Sequence, residues 1–114
     1  MKICFTGHRN KLSSNEQLAN ILNQFPDAVW VHGGAKGFDT QVEEFAQSNG
    51  IETQIVRPDY ARYKRGAPIV RNKQMVDSAN CVVACWDGRK SGGTYQTITY
   101  ANRLNVPVQV VSAI

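Results

Sequence analysis

Residues Val29-Trp30-Val31-His32-Gly33-Gly34-Ala35-Lys36-Gly37-Phe38-Asp39-Thr40 carry an apolar strand into a glycine turn and directly on into a helix. Three glycines within five residues allow backbone conformations that a side chain would forbid, so the chain can reverse without a spacer. Helical spacing then begins at once, with Phe38, Val42, Phe45 and Ala46 on one face and Asn49-Gly50 as an αL-type stop. A helix N-terminus offers unpaired amide N–H groups and a partial positive charge. The turn therefore predicts a phosphate cradle built from Gly33, Gly34, Ala35, Lys36 and Gly37, with the alternative that it is a tight turn serving the fold alone. It is neither the dinucleotide fingerprint G-x-G-x-x-G nor the P-loop G-x-x-x-x-G-K-[ST], and no cofactor is expected.

The rest of the chain repeats the strand-to-helix theme. Lys2 to Thr6 reads as a strand, followed by the loop Gly7-His8-Arg9-Asn10-Lys11-Leu12. Ser13 with Glu16 forms a capping box for a helix carrying Leu18, Ile21, Leu22 and Phe25 up to Pro26. Ala28 to His32 is the second strand and Ile51 to Val56 the third. The stretch from Asp59 to Gly66 is polar, basic and aromatic, and Pro68 suits the first turn of a helix reaching about Ala79. Cys81 to Trp86 is almost continuously apolar, as a central parallel strand covered on both faces should be. The loop Asp87 to Gly93 opens a fourth helix near Thr94, and Pro107 to Ser112 is the last strand.

Five strands alternating with four helices predict an α/β, Rossmann-like, doubly wound parallel five-stranded sheet with helices on both faces, in one domain over residues 1–114. Right-handed crossovers make the order 3-2-1-4-5 the simplest solution. In that order the chain reverses between strands one and four, and ligands of open α/β sheets sit at such a switch point. Three loops converge there: Gly7-His8-Arg9, Gly33 to Gly37, and Asp87 to Thr94. Their glycines and arginines predict a crevice for an anion. Arg71 and Asn72, one turn inside the third helix, are placed to reach it, and Trp86 is placed to stack on a base or to pack in the core.

Composition enters as a bound on partners. The net charge of +4 suits an anionic ligand but is small for a protein dedicated to duplex DNA. Arg57, Arg62, Lys64, Arg65, Arg71 and Lys73, interleaved with Tyr60 and Tyr63, keep single-stranded nucleic acid as a second reading. Cys4, Cys81 and Cys85 are odd in number and lie in strand-like runs, which predicts reduced, buried thiols in a cytoplasmic protein; with two histidines they give no zinc-ligand spacing. No window is apolar enough to span a membrane.

Thr6-Gly7-His8-Arg9, Gly33 to Gly37 with Asp39, Arg71-Asn72 with Met75, Ala84 to Gly88, Gly92-Gly93-Thr94 and Val106-Pro107-Val108 together resemble the SLOG superfamily, most of all its small YspA- and YpsA-related branch. That superfamily also holds the DprA/Smf DNA-processing proteins and the LOG phosphoribohydrolases. The resemblance runs from about Lys2 to Val111 and implies a Rossmann-like module for nucleotides or nucleotide-derived molecules, often a homo-oligomer. It also implies ligand roles for Arg71 and Asn72, which join Gly7, His8, Arg9, Asp39, Trp86, Asp87, Gly92, Gly93 and Thr94 as candidate binding residues. LOG-type enzymes carry G-G-x-G-T-x-x-E, whose glutamate serves catalysis. Here Thr97 stands in its place, and a hydroxyl cannot do the work of that carboxylate. Asp39 and Asp87 are the only acids at the predicted crevice and thus the only catalytic candidates. Asp39 equally suits the dipole of its helix, and Asp87-Gly88 an ordinary turn. Binding without turnover is the expected activity, with N-glycosidic cleavage as the enzymatic alternative.

Overall fold

A computed structural model describes residues 1–114. Its strands are β1 (Lys2–Gly7), β2 (Val29–His32), β3 (Thr53–Ile55), β4 (Cys81–Cys85) and β5 (Val108–Val111). Its helices are α1 (Asn15–Gln24), α2 (Phe38–Ser48), the single turn α3 (Tyr60–Tyr63), α4 (Ala67–Ser78) and α5 (Gly92–Arg103), with a 3-10 turn at Lys64–Gly66. All strand pairs are parallel and the order is β3-β2-β1-β4-β5, the doubly wound arrangement expected from the sequence. No helix is long and apolar enough to cross a membrane.

Alternation along the strands separates two cores. Ile3, Phe5, Trp30, Val83 and Cys85 point to one face, where Leu18 and Ile21 of α1 and Phe38, Val42 and Ala46 of α2 cover them. Cys4, Val31 and Val82 point to the other, against Met75 and Val76 of α4 and Ala101 of α5. The first face is the aromatic one: the rings of Phe5 and Trp30 lie 4.5 Å apart, and Trp30 stacks on Phe45 at 5.6 Å. The cysteines are free; burial pushes the Cys4 thiol up to about 12 and Cys85 up to about 11, so both behave as apolar side chains at neutral pH.

Three local readings are corrected. Ser14, not Ser13, caps α1, accepting from the Gln17 amide at 3.2 Å. Ser13 is unavailable because its backbone is clamped by Gln41 of α2: its amide donates to Oε1 at 2.9 Å and its carbonyl accepts from Nε2 at 2.6 Å. The basic stretch after β3 contains α3, begun by Asp59, whose side chain accepts from the Arg62 amide at 3.1 Å. The third strand is shorter than Ile51 to Val56, because only Thr53–Ile55 pairs with β2 at this sheet edge.

Candidate functional site

A crevice of about 390 Å³ lies beyond the carboxyl ends of β1 and β4, between the N-terminal turns of α4 and α5. Of the residues expected at the site, Gly7, His8, Arg9, Ala35, Asp39, Arg71, Asn72, Gly92, Gly93 and Thr94 line it. Gly33, Gly34, Lys36, Gly37, Trp86 and Asp87 do not. Two larger hollows, of about 530 and 750 Å³, lie beside α1 and α2; they are more open to solvent, and neither gathers a cluster of cationic side chains.

The first glycine turn is occupied by the protein itself. Asp39, in the first turn of α2, bends back so that its Oδ2 accepts from the amides of Gly33 and Ala35, both at 3.2 Å. The Gly34 amide donates to Nδ1 of His32 at 3.0 Å. These amides are therefore not offered to a phosphate, which corrects the cradle expected at Gly33, Gly34 and Ala35. Lys36 and Gly37 line the hollow between α1 and α2 instead, so Lys36 is not beside the crevice. A Cβ at Gly33 would displace the Arg71 guanidinium, which fills that space. Gly37 adopts φ +79°, and a Cβ there would collide with the carbonyls of His8 and Arg9.

His32 and Glu43 form a support that the sequence did not announce. With Nδ1 accepting from Gly34, the ring proton sits on Nε2 and is donated to Oε1 of Glu43 at 2.7 Å. Oε2 of Glu43 accepts from Gln47 and Thr53, and the His32 bond leads these in holding its carboxyl below the usual range. The one available signal was a histidine closing a strand directly before a glycine turn.

Arg71 joins this turn to the crevice. Its Nε donates to Oδ1 of Asn72 at 2.8 Å, and its Nη1 to the carbonyls of Gly33 (2.9 Å) and Val56 (3.3 Å). Nη2 bonds no protein group, so the guanidinium is fixed in place with one edge left for a ligand. Arg9 is exposed at the rim and makes no hydrogen bond or ion pair within the protein. Burial pushes the Asp39 carboxyl up, opposed by the Ala35 amide and by the charge of Arg71; its Oδ1 is buried and has no hydrogen-bond partner.

The second glycine loop is braced but open. Asp87 holds Arg89, with Nε 3.0 Å from each carboxylate oxygen and Nη2 2.5 Å from Oδ2, and this keeps Asp87 far below the usual carboxylate range. Both its oxygens are engaged, and it is a poor candidate for a base. Nε2 of His8 lies 3.4 Å from the Asp87 amide and 3.2 Å from Oδ1, tying the loops after β1 and β4 together. Burial, with Arg89 nearby, pulls His8 below its ordinary value despite Asp87. Trp86 donates to the Arg89 carbonyl at 2.8 Å and stacks on Tyr95, so its ring is engaged by the loop and by α5, outside the crevice. At the start of α5, Ser91 makes no capping bond, and the amides of Gly92, Gly93 and Thr94 meet no protein acceptor. Arg89, from the loop already singled out, joins Arg9 and Arg71 around this helix end. Thr97, where LOG-type enzymes have glutamate, is buried and donates to the Gly93 carbonyl at 2.8 Å, outside the crevice. No three His, Cys, Asp or Glu side chains converge as metal ligands.

Known proteins share this frame. Gene 61 protein of Mycobacterium phage D29 is 26% identical over 116 residues, covering 94% of this chain and 93% of its own. The X-ray structure of TM1055, a structural genomics target, matches with a TM-score of 0.67 at 18% identity, over 94% of this chain and 71% of that one, a likeness of fold. A family model matches residues 1–63, which hold β1, the first glycine turn and Asp39. The chain belongs to the YspA, cpYpsA-related SLOG family.

Proposed function

We propose that this chain binds a nucleotide or nucleotide-derived anion in the crevice at the strand ends, as a sensing or sequestering module of one domain. The observation that carries this reading is the uncapped N-terminus of α5, facing the free Nη2 of Arg71 and the unpaired Arg9 across a cleft of about 390 Å³. Amide donors and fixed guanidinium groups are what a phosphate needs. The volume lies within the roughly 300–1,000 Å³ common for small-molecule sites. Membership of a SLOG family and an α/β fold support a nucleotide-related role in general. Retention of the ligand, without cleavage, is supported by Thr97 turned into its own helix and Asp87 held by Arg89. The free thiols fit a cytoplasmic protein, and association into a homo-oligomer goes with the resemblance to the superfamily.

The test is a thermal-shift screen of nucleoside mono-, di- and triphosphates, ADP-ribose and cyclic nucleotides, followed by chromatography of each hit after incubation. A ligand at about a hundred times its Kd adds about 2.7 kcal/mol to stability. The expected result is a shift with the ligand recovered intact. Repeated turnover, lost in Asp39→Asn, would replace binder by enzyme.

One observation favours single-stranded nucleic acid as a second reading. Arg57, Arg62, Lys64 and Arg65 are exposed with no acidic partner, beside Tyr60 at 55% exposure. Arg62→Glu with Arg65→Glu should leave mononucleotide affinity unchanged; loss of strong, salt-sensitive oligonucleotide binding in that variant would favour the second reading.

A further inference from the structure

Asp39 holds an acceptor that the fold leaves empty. The residue is 7% exposed, and Oδ2 takes both of the hydrogen bonds that the carboxylate receives, from Gly33 and Ala35. Oδ1 is buried and takes none. Arg71 does not fill it, because Nε and Nη1 donate to Asn72, Gly33 and Val56. A buried carboxylate oxygen without a donor is costly, and Asp39 belongs to the wall of the crevice, where a bound ligand is one source of a donor. A fully ionised phosphate is a poor source, since it brings acceptors and negative charge. The complement of Oδ1 is a neutral donor, and a sugar hydroxyl is one. The α5 amides, Arg9 and Arg71 complement an anionic group in the same 390 Å³. One compact molecule that presents both is a sugar phosphate.

Resting on the nucleotide reading above, we propose that Asp39 accepts a hydrogen bond from a ribose hydroxyl of the bound nucleotide, so that the crevice selects ligands with an intact ribose diol. The glycine turn then acts at one remove: it fixes Oδ2 with two amides and thereby aims Oδ1. A site built to pair with a substrate hydroxyl discriminates against analogues lacking it, because its own polar atom is left unpaired.

The experiment is calorimetric titration of the wild-type protein with AMP, GMP, CMP and UMP and with the 2′,3′-dideoxy counterpart of each. The expected result is about tenfold or greater weakening when the hydroxyls are removed, the scale of a hydrogen bond to a charged group. In Asp39→Asn, whose Oδ1 can still accept from Gly33 and Ala35, the ratio should fall to about threefold or less, since a neutral pair is weaker. Equal affinity of the wild type for a ribonucleotide and its dideoxy counterpart would overturn this inference while leaving the nucleotide reading intact. Failure of all four ribonucleotides to bind would overturn this inference, and an empty thermal-shift screen beside it would overturn the nucleotide reading as well. The wild-type comparison does not depend on the variant folding.

Discussion

The two glycine turns look alike in the sequence and do opposite things in the fold. The turn after β2 closes on its own side chains, with Asp39 and His32 taking the amides of Gly33, Ala35 and Gly34. The turn before α5 has no such residue, and Gly92, Gly93 and Thr94 keep their amides free. A glycine-rich strand-to-helix connection is therefore not in itself a phosphate site. What decides is whether a carboxylate a few residues onward reaches back, and Asp39 does.

The comparison predicts unequal responses to matched substitutions. The largest effect is expected at Gly37: alanine must adopt φ +79° and displace the backbone of His8 and Arg9, costing about 3 kcal/mol or more. Gly92→Ala, at φ +86° in open space, carries only the conformational cost of about 1–2 kcal/mol. Urea unfolding of the pair would decide, and equal losses would erase the distinction between the turns. Next comes Asp39→Ala, which strands two amides and should remove about 2 kcal/mol, lowering Tm by roughly 8 °C or more. Ser91→Ala, which removes no bond, should stay within about 0.5 kcal/mol.

A gain-of-cap variant sharpens the contrast further. Ser91→Asp supplies the second turn with the carboxylate it lacks; stability should rise by up to about 1 kcal/mol while anion affinity drops about tenfold. Increased stability with unchanged affinity would remove the α5 terminus from the binding site. The smallest effect concerns pH. Glu43 is held below its ordinary 4.5, so it contributes stability that is present above that value and lost as pH falls through its folded pKa. Asp39, pushed up by burial, has the opposite sign: its contribution to stability is lost as pH rises from 3.8 through its folded value. Glu43→Gln should therefore flatten the decline of Tm below about pH 4.5, and an unaltered acid limb would discount the His32–Glu43 support.

The architecture was legible because its signals are local. Alternation in β1 and β4, the apolar face of α2 and right-handed crossovers together leave few topologies. The site was legible only as far as which loops meet. Lys36 sits among the glycines in sequence, yet the turn carries it toward α1. The choice between Ser13 and Ser14 as cap hinged on Gln41, 28 residues away from Ser13. The four residues of α3 bury nothing and so leave no periodic trace. Whether Asp39 faces a ligand or its own backbone depends on a side-chain direction that spacing does not encode.

The strand order has a kinetic corollary. β1 lies at the centre of the sheet, but its neighbour β4 arrives late, and the pair is tied at its start by the Lys2 amide donating to Asn80, 78 positions downstream. β1 therefore stays half-paired until most of the chain is available, and closing so long a loop slows folding. Because α5 follows β4, the crevice is completed after the central pairing. Nascent chains halted before that point should be sensitive to proteases and unable to retain ligand.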